Sequence, residues 1–74
     1  MNAYSQLIEA EKTYHTIEIM EKETGKTGVA NSCVGGVEVF YGADDGSDDK
    51  TITPEQFNDD FEITAMIGNH SHQP

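Results

Sequence analysis

Residues 37–41, Val-Glu-Val-Phe-Tyr, form the clearest strand pattern in this 74-residue chain. Apolar residues at the odd positions alternate with Glu38, and alternation of this kind is typical of a half-buried β-strand. Gly35-Gly36 directly before the strand permits a tight turn. Residues 29–33 are therefore predicted to form the preceding strand of a hairpin.

Two further segments have strand character. Residues 13–20 are rich in Thr, Tyr and Ile, and Ile17 and Ile19 alternate with polar neighbours. Two glycines in residues 23–28 predict the turn that follows this strand. Residues 61–67 predict a final strand with these side chains directed inward: Phe61, Ile63, Ala65 and Ile67.

Helical signals occur at two places. The spacing of Tyr4, Leu7 and Ile8 predicts a helix over residues 3–12, although the apolar spacing is also compatible with one helix running on to residue 23. We favour a break near residue 12, because strand-forming residues follow. A second, short helix is predicted to begin at Thr53-Pro54-Glu55-Gln56, where Thr is a good N-cap, Pro suits the first helical position and Gln completes a capping box.

Together these elements predict an α+β fold. We expect a small, curled antiparallel sheet, similar to SH3-like sheets, with an N-terminal helix and a short helix before the last strand. Residues 42–50 are expected to be a polar loop, residues 1–67 one domain, and residues 68–74 a flexible tail. The predicted core consists of Ile17, Ile19, Val37, Val39, Phe57, Phe61 and Ile63.

The charge of the chain excludes some functions. Fourteen Asp and Glu residues oppose four lysines and no arginine, which gives a formal net charge of −10. Direct binding to nucleic acid needs clustered basic side chains, and anionic membranes attract the same kind of cluster. We therefore expect no direct nucleic-acid contact and no membrane partner. Nine of the acids fall in residues 38–74, opposed there by a single lysine.

Cysteine usage and the N-terminal sequence predict a cytoplasmic protein. Cys33 is alone, whereas small secreted domains are usually held together by several disulfides. Residues 1–10 have no basic start and no long apolar run, so no signal peptide is expected.

Catalytic and metal-binding patterns are incomplete. Cys33 and His15 have no spacing that indicates a nucleophile with its base, so we expect a buried structural cysteine, a strand-surface histidine, no enzymatic activity and no cofactor. The 44–56 loop resembles a calcium-binding EF-hand loop, with Asp45, Ser47 and Asp49 at its first, third and fifth ligand positions. The usual Gly and Glu of that motif are replaced here by Lys50 and Gln56. Weak Ca²⁺ binding is therefore kept as an alternative function.

The remaining signal is acidity, and it resembles that of small, cysteine-poor, phage-encoded inhibitors that mimic DNA or block host defence enzymes. Residues 21–26, Glu-Lys-Glu-Thr-Gly-Lys, are also similar to a stretch of the uracil-DNA glycosylase inhibitor. The resemblance implies a non-enzymatic protein that occupies the basic, nucleic-acid-binding surface of a DNA-processing or defence enzyme in the host cytoplasm. No functional residue is carried over from it.

The predicted partner-binding surface lies mainly between residues 44 and 60. Its paired aspartates, separated by small or polar residues, resemble the phosphates of a nucleic-acid strand. The expected contact residues are Glu38, Asp44, Asp45, Asp48, Asp49, Glu55, Asp59 and Asp60. Two alternatives stay open: a structural accessory protein whose acidic face is only solvated, and a homodimer.

Overall fold

The computed structural model describes residues 1–42 and 49–68, and this part of the chain forms two helices and five strands. Neither helix has the length or the apolar composition that crossing a membrane requires. In chain order the elements are α1 (Ala3–Glu11), β1 (Thr16–Glu21), β2 (Thr27–Cys33), β3 (Gly36–Phe40), β4 (Lys50–Ile52), α2 (Pro54–Asp60) and β5 (Phe61–Ile67).

The first helix is capped at its start and ends where the sequence predicts. The Asn2 side chain accepts a hydrogen bond from the Ser5 amide at 2.8 Å, which satisfies one of the free N–H groups of the first turn. At the other end, the Tyr14 amide donates to the Ala10 carbonyl at 2.8 Å, and β1 begins two residues later. The break near residue 12 is therefore confirmed, and a continuous helix is excluded.

The sheet is antiparallel throughout, with the strand order β4-β3-β2-β1-β5. The first four strands form a meander, and the last strand returns to pair with β1. Among the described strands, β4 and β5 are the two edges, so the sheet is open. The predicted α+β class, with an N-terminal helix and a short helix before the last strand, is confirmed.

The predicted loop over residues 42–50 is wrong at its end. Lys50 is the first residue of β4, which pairs with β3 in the register Val37↔Ile52. Ile52 is buried, with 6% of its surface exposed, so this short strand contributes to the core. The sequence of β4 shows no alternation of apolar and polar residues. The strand is stabilised instead by the burial of Ile52 and by its pairing with β3.

The predicted inward orientation of the β5 side chains is wrong for the second half of the strand. The register between β1 and β5 shifts at Thr64: Ile63 pairs with Ile19, whereas Ala65 pairs with Glu18. One extra residue in an antiparallel strand interrupts the alternation of its side chains. Ile67 is consequently 48% exposed instead of inward, and Ile63 is half-buried.

Both helices cover the same face of the sheet, and the core lies between them and the strands. Six of the seven predicted core residues are buried, the exception being Ile63. Phe57 of α2 and Phe61 of β5 are stacked, with ring centroids 5.6 Å apart, and this pair fixes α2 on the sheet. The buried core comprises Leu7, Ala10, Ile17, Ile19, Ala30, Val37, Val39, Ile52, Phe57 and Phe61.

A side-chain contact joins the end of α1 to the middle of the sheet. The Glu11 carboxylate accepts two hydrogen bonds from Ser32 of β2, one from the hydroxyl at 2.6 Å and one from the amide at 2.7 Å. Glu11 is half-buried, so water competes less for its carboxylate than at the fully exposed acids.

We expect Glu11→Ala to lower the free energy of unfolding by about 1–3 kcal/mol, because it leaves the Ser32 donors without their acceptor. Glu9→Ala is the matched control, since it removes an exposed ion pair with Lys12, which is worth about 0–1 kcal/mol. Urea denaturation of both variants measures the difference. Equal losses would show that the contact between Glu11 and Ser32 adds nothing to stability.

Candidate acidic binding site

The structure separates the acidic residues that the sequence assigns to one surface. Asp44, Asp45 and Asp48 lie outside the described residues, as does Ser47 of the EF-hand-like pattern. Asp49 is exposed directly before β4. The remaining predicted contacts lie on β3 (Glu38) and on α2 (Glu55, Asp59 and Asp60).

An acidic cleft forms where the turn between β1 and β2 meets the end of α2. The cleft has a volume of about 350 Å³. We call it the acidic cleft, and it is lined by Glu21, Lys22, Glu23, Asp59 and Asp60. Four carboxylates and one ammonium therefore line one concave surface. Asp59 and Asp60 are predicted contact residues, whereas the two glutamates are additional to the prediction.

The backbone of the turn holds this arrangement. The Lys22 amide donates to the Asp60 carbonyl at 2.8 Å, which ties the turn to the last residue of α2. Gly25 adopts φ +76, a conformation that glycine takes without strain, and its amide donates to the Glu21 carbonyl at 2.8 Å. The Thr24 hydroxyl also donates to the Glu21 carboxylate at 3.0 Å. Backbone hydrogen bonds thus hold the turn against the end of α2, and the Thr24 hydroxyl holds the Glu21 carboxylate.

The lysines give this cleft little compensation. The Lys22 ammonium lies 3.5 Å from the Asn58 carbonyl oxygen. Lys26 and Lys50 lie over the Tyr41 ring, at 4.4 Å and 5.7 Å from its centroid. Within residues 1–42 and 49–68, the one ion pair is Lys12 with Glu9, on α1. The four carboxylates and one ammonium group of the lining give the cleft a formal net charge of −3.

Glu38 does not join the acids of α2. It lies on β3 between the buried Val37 and Val39, so it projects from the face of the sheet opposite the helices. There the Asn31 amide group donates to the Glu38 carboxylate at 3.4 Å. Strand alternation thus places Glu38 on the face of the sheet opposite the predicted contact residues of α2.

The described residues offer no metal cluster: no group of three or more His, Cys, Asp or Glu side chains there is placed to hold an ion. Cys33 is half-buried, not buried as expected, because it lies at the end of β2 on the side away from the helices. His15 is exposed, and its backbone amide donates to the Ile67 carbonyl at 3.1 Å.

Comparison with protein-family models, curated proteins and solved structures finds no match for this chain.

Proposed function

We propose that this chain is a non-enzymatic acidic protein that occupies the basic, nucleic-acid-binding surface of a partner protein. The observation that supports this function best is the acidic cleft, where four carboxylates from two distant segments meet on one concave surface. A partner's arginine or lysine side chains can enter such a cleft in place of the phosphates that they normally bind.

The surroundings of the cleft support the interpretation that these acids contact a partner protein and not other residues of the same chain. Glu23, Asp59 and Asp60 are exposed, and among the described residues that line the cleft Lys22 is the one cation. Charges arranged in this way raise the rate of encounter with a basic surface and repel nucleic acid. We place this activity in the cytoplasm, and we place the partner among DNA-processing or defence enzymes.

Competition with nucleic acid tests the function directly. The tagged chain is used to isolate a basic partner from a host lysate, and the partner is then titrated with labelled duplex DNA in the presence of increasing amounts of the chain. We expect the apparent Kd for DNA to rise linearly with the concentration of the chain, as competition for one surface requires. A partner that binds DNA equally well with and without the chain would contradict the function.

Removing charge from the acidic cleft should weaken binding to that partner. We expect Glu23→Gln with Asp59→Asn to reduce affinity roughly two- to thirtyfold, since each of the two exposed charge pairs is worth about 0.2–1 kcal/mol. The control, Glu9→Gln with Glu62→Gln, also removes two negative charges, but from exposed residues that do not line the cleft. Calorimetric titrations between about 50 and 300 mM salt should show a shallower salt dependence for the cleft variant alone. Identical losses in both variants would mean that net charge, not the cleft, determines affinity.

A further inference from the structure

The face of the sheet opposite the helices, which we call the open face, is neither fully polar nor covered by another described element. Its central row crosses four strands through the register Ala65↔Glu18↔Val29↔Phe40. All four residues in this row are half-buried. A solvated face of an antiparallel sheet is usually polar, so an apolar row interrupted by one carboxylate is unusual.

A groove of about 430 Å³ lies against three residues of this row, Glu18, Val29 and Phe40, and also borders Thr27 and Gly28. Glu18 and Thr64 line one end, Val29 and Phe40 line the middle, and the segment from Tyr41 to Gly42 lines the other end. The groove therefore has a carboxylate at one end and an apolar floor with an aromatic ring.

Among the described residues that line this groove, Glu18 is the one that carries a charge. In the part of the chain that the structure describes, it has no hydrogen-bond partner, and the pairing of β1 places it between Ala65 and Val29. Lys26 and Lys50 lie over the Tyr41 ring, and this ring packs near Phe61 on the face of the sheet that the helices cover, opposite Glu18. A half-buried carboxylate without a cation is stabilised when a partner supplies one.

The geometry points to an arginine-bearing segment of the basic partner as the occupant of this groove, with one arginine side chain at Glu18. This inference rests on the proposed function and adds a second contact surface to it. The arginine stem would lie over Val29, and its guanidinium group would bind the Glu18 carboxylate. Neighbouring strands are about 4.8 Å apart, so one side chain spans the distance between these two positions.

Arginine fits this groove better than lysine. A guanidinium group is planar and binds a carboxylate through two parallel hydrogen bonds. It is also more weakly hydrated than an ammonium group and stacks on aromatic rings, and Phe40 is the ring that the floor presents. The apolar floor thus selects for the side chain that loses less hydration on entering it.

A peptide titration followed by NMR tests this inference. Hexa-arginine and hexa-lysine are added separately to the ¹⁵N-labelled protein, and amide shifts are followed for Glu18, Val29 and Phe40 and for the residues of the acidic cleft. We expect both peptides to shift the cleft resonances. At the groove resonances, hexa-arginine should bind roughly two- to fivefold tighter than hexa-lysine, which is the range expected for contact with an aromatic ring.

Glu18→Gln keeps the shape of the side chain and should weaken hexa-arginine binding at the groove roughly threefold, with binding at the cleft unchanged. Glu9→Gln is the control for the loss of one charge on α1, and a dispersed spectrum of each variant shows that it is folded. Shifts confined to the cleft would overturn the groove inference while leaving the proposed function intact. Equal affinities of the two peptides at the groove would also overturn it. An absence of binding at both surfaces would overturn the inference and the proposed function together.

Discussion

Phe61→Ala is expected to lower the free energy of unfolding by about 3–5 kcal/mol, a large share of the 5–15 kcal/mol of a typical small domain. Phe61 is 1% exposed, and its ring stacks on Phe57, 5.6 Å away between centroids. It also lies 6.5 Å from the Tyr41 ring. Alanine would leave a cavity at the point where α2 is fixed to the sheet, and a short helix has little other support.

The same strand supplies a control for this prediction. Ile67 is 48% exposed, so Ile67→Ala removes apolar atoms from β5 without opening a buried cavity, and we expect a loss below about 1 kcal/mol. Thermal and urea denaturation of both variants measure the contrast. A Phe61→Ala protein as stable as the Ile67→Ala protein would contradict the core described here.

Gly36→Ala is expected to cost about 2–4 kcal/mol, through backbone strain and a collision acting together. Gly36 begins β3 with φ +140, a conformation that residues with a side chain rarely adopt. A Cβ atom there would meet the carbonyl oxygen of Ile52 on β4. The edge strand would have to move away, and the Val37↔Ile52 pairing would weaken.

Gly35→Ala separates the two causes. Gly35 has φ +97, but a Cβ atom there would have open space around it, so only the strain of about 1–2 kcal/mol applies. The difference between the two variants in urea denaturation therefore measures the close approach of β3 and β4. If both variants lose the same stability, the separation between these strands is larger than the structure indicates.

The sequence predicts those elements whose signals are local. The start of α2 is the clearest case: the Thr53 hydroxyl accepts the Gln56 amide hydrogen bond at 3.1 Å, and Pro54 is the first helical residue, both as expected. The bounds of β5 are also predicted correctly, at residues 61–67. In each case the residues that determine the element are close together in the sequence.

Features that depend on pairing are missed. β4 has three residues, and its one buried side chain, Ile52, is recognised only when β3 lies beside it. The register shift at Thr64 arises from the pairing of β5 with β1, so alternation along β5 alone assigns Ile67 to the wrong environment.

The acidic cleft shows the same limit for the site. Asp59 and Asp60 are predicted because they form part of an acidic segment, whereas Glu21 ends β1 and Glu23 lies in the turn after it, far away in the sequence. Only the return of β5 to β1, with Glu21 opposite Phe61, brings the two segments together. Charge counting along the sequence therefore identifies half of the cleft, and the topology supplies the other half.

The position of β1 between β2 and β5 also has a kinetic consequence. β1 finds its first partner through a short turn, but its second partner must return from the far end of the described chain, as the Thr16↔Ile67 pair shows. Closing so long a loop loses conformational entropy before any stabilising contact has formed. Folding rates therefore fall as the number of such long-range pairings increases. On a ribosome, the meander would emerge with one edge of β1 still unpaired, and the arrival of β5 would both complete the sheet and assemble the acidic cleft.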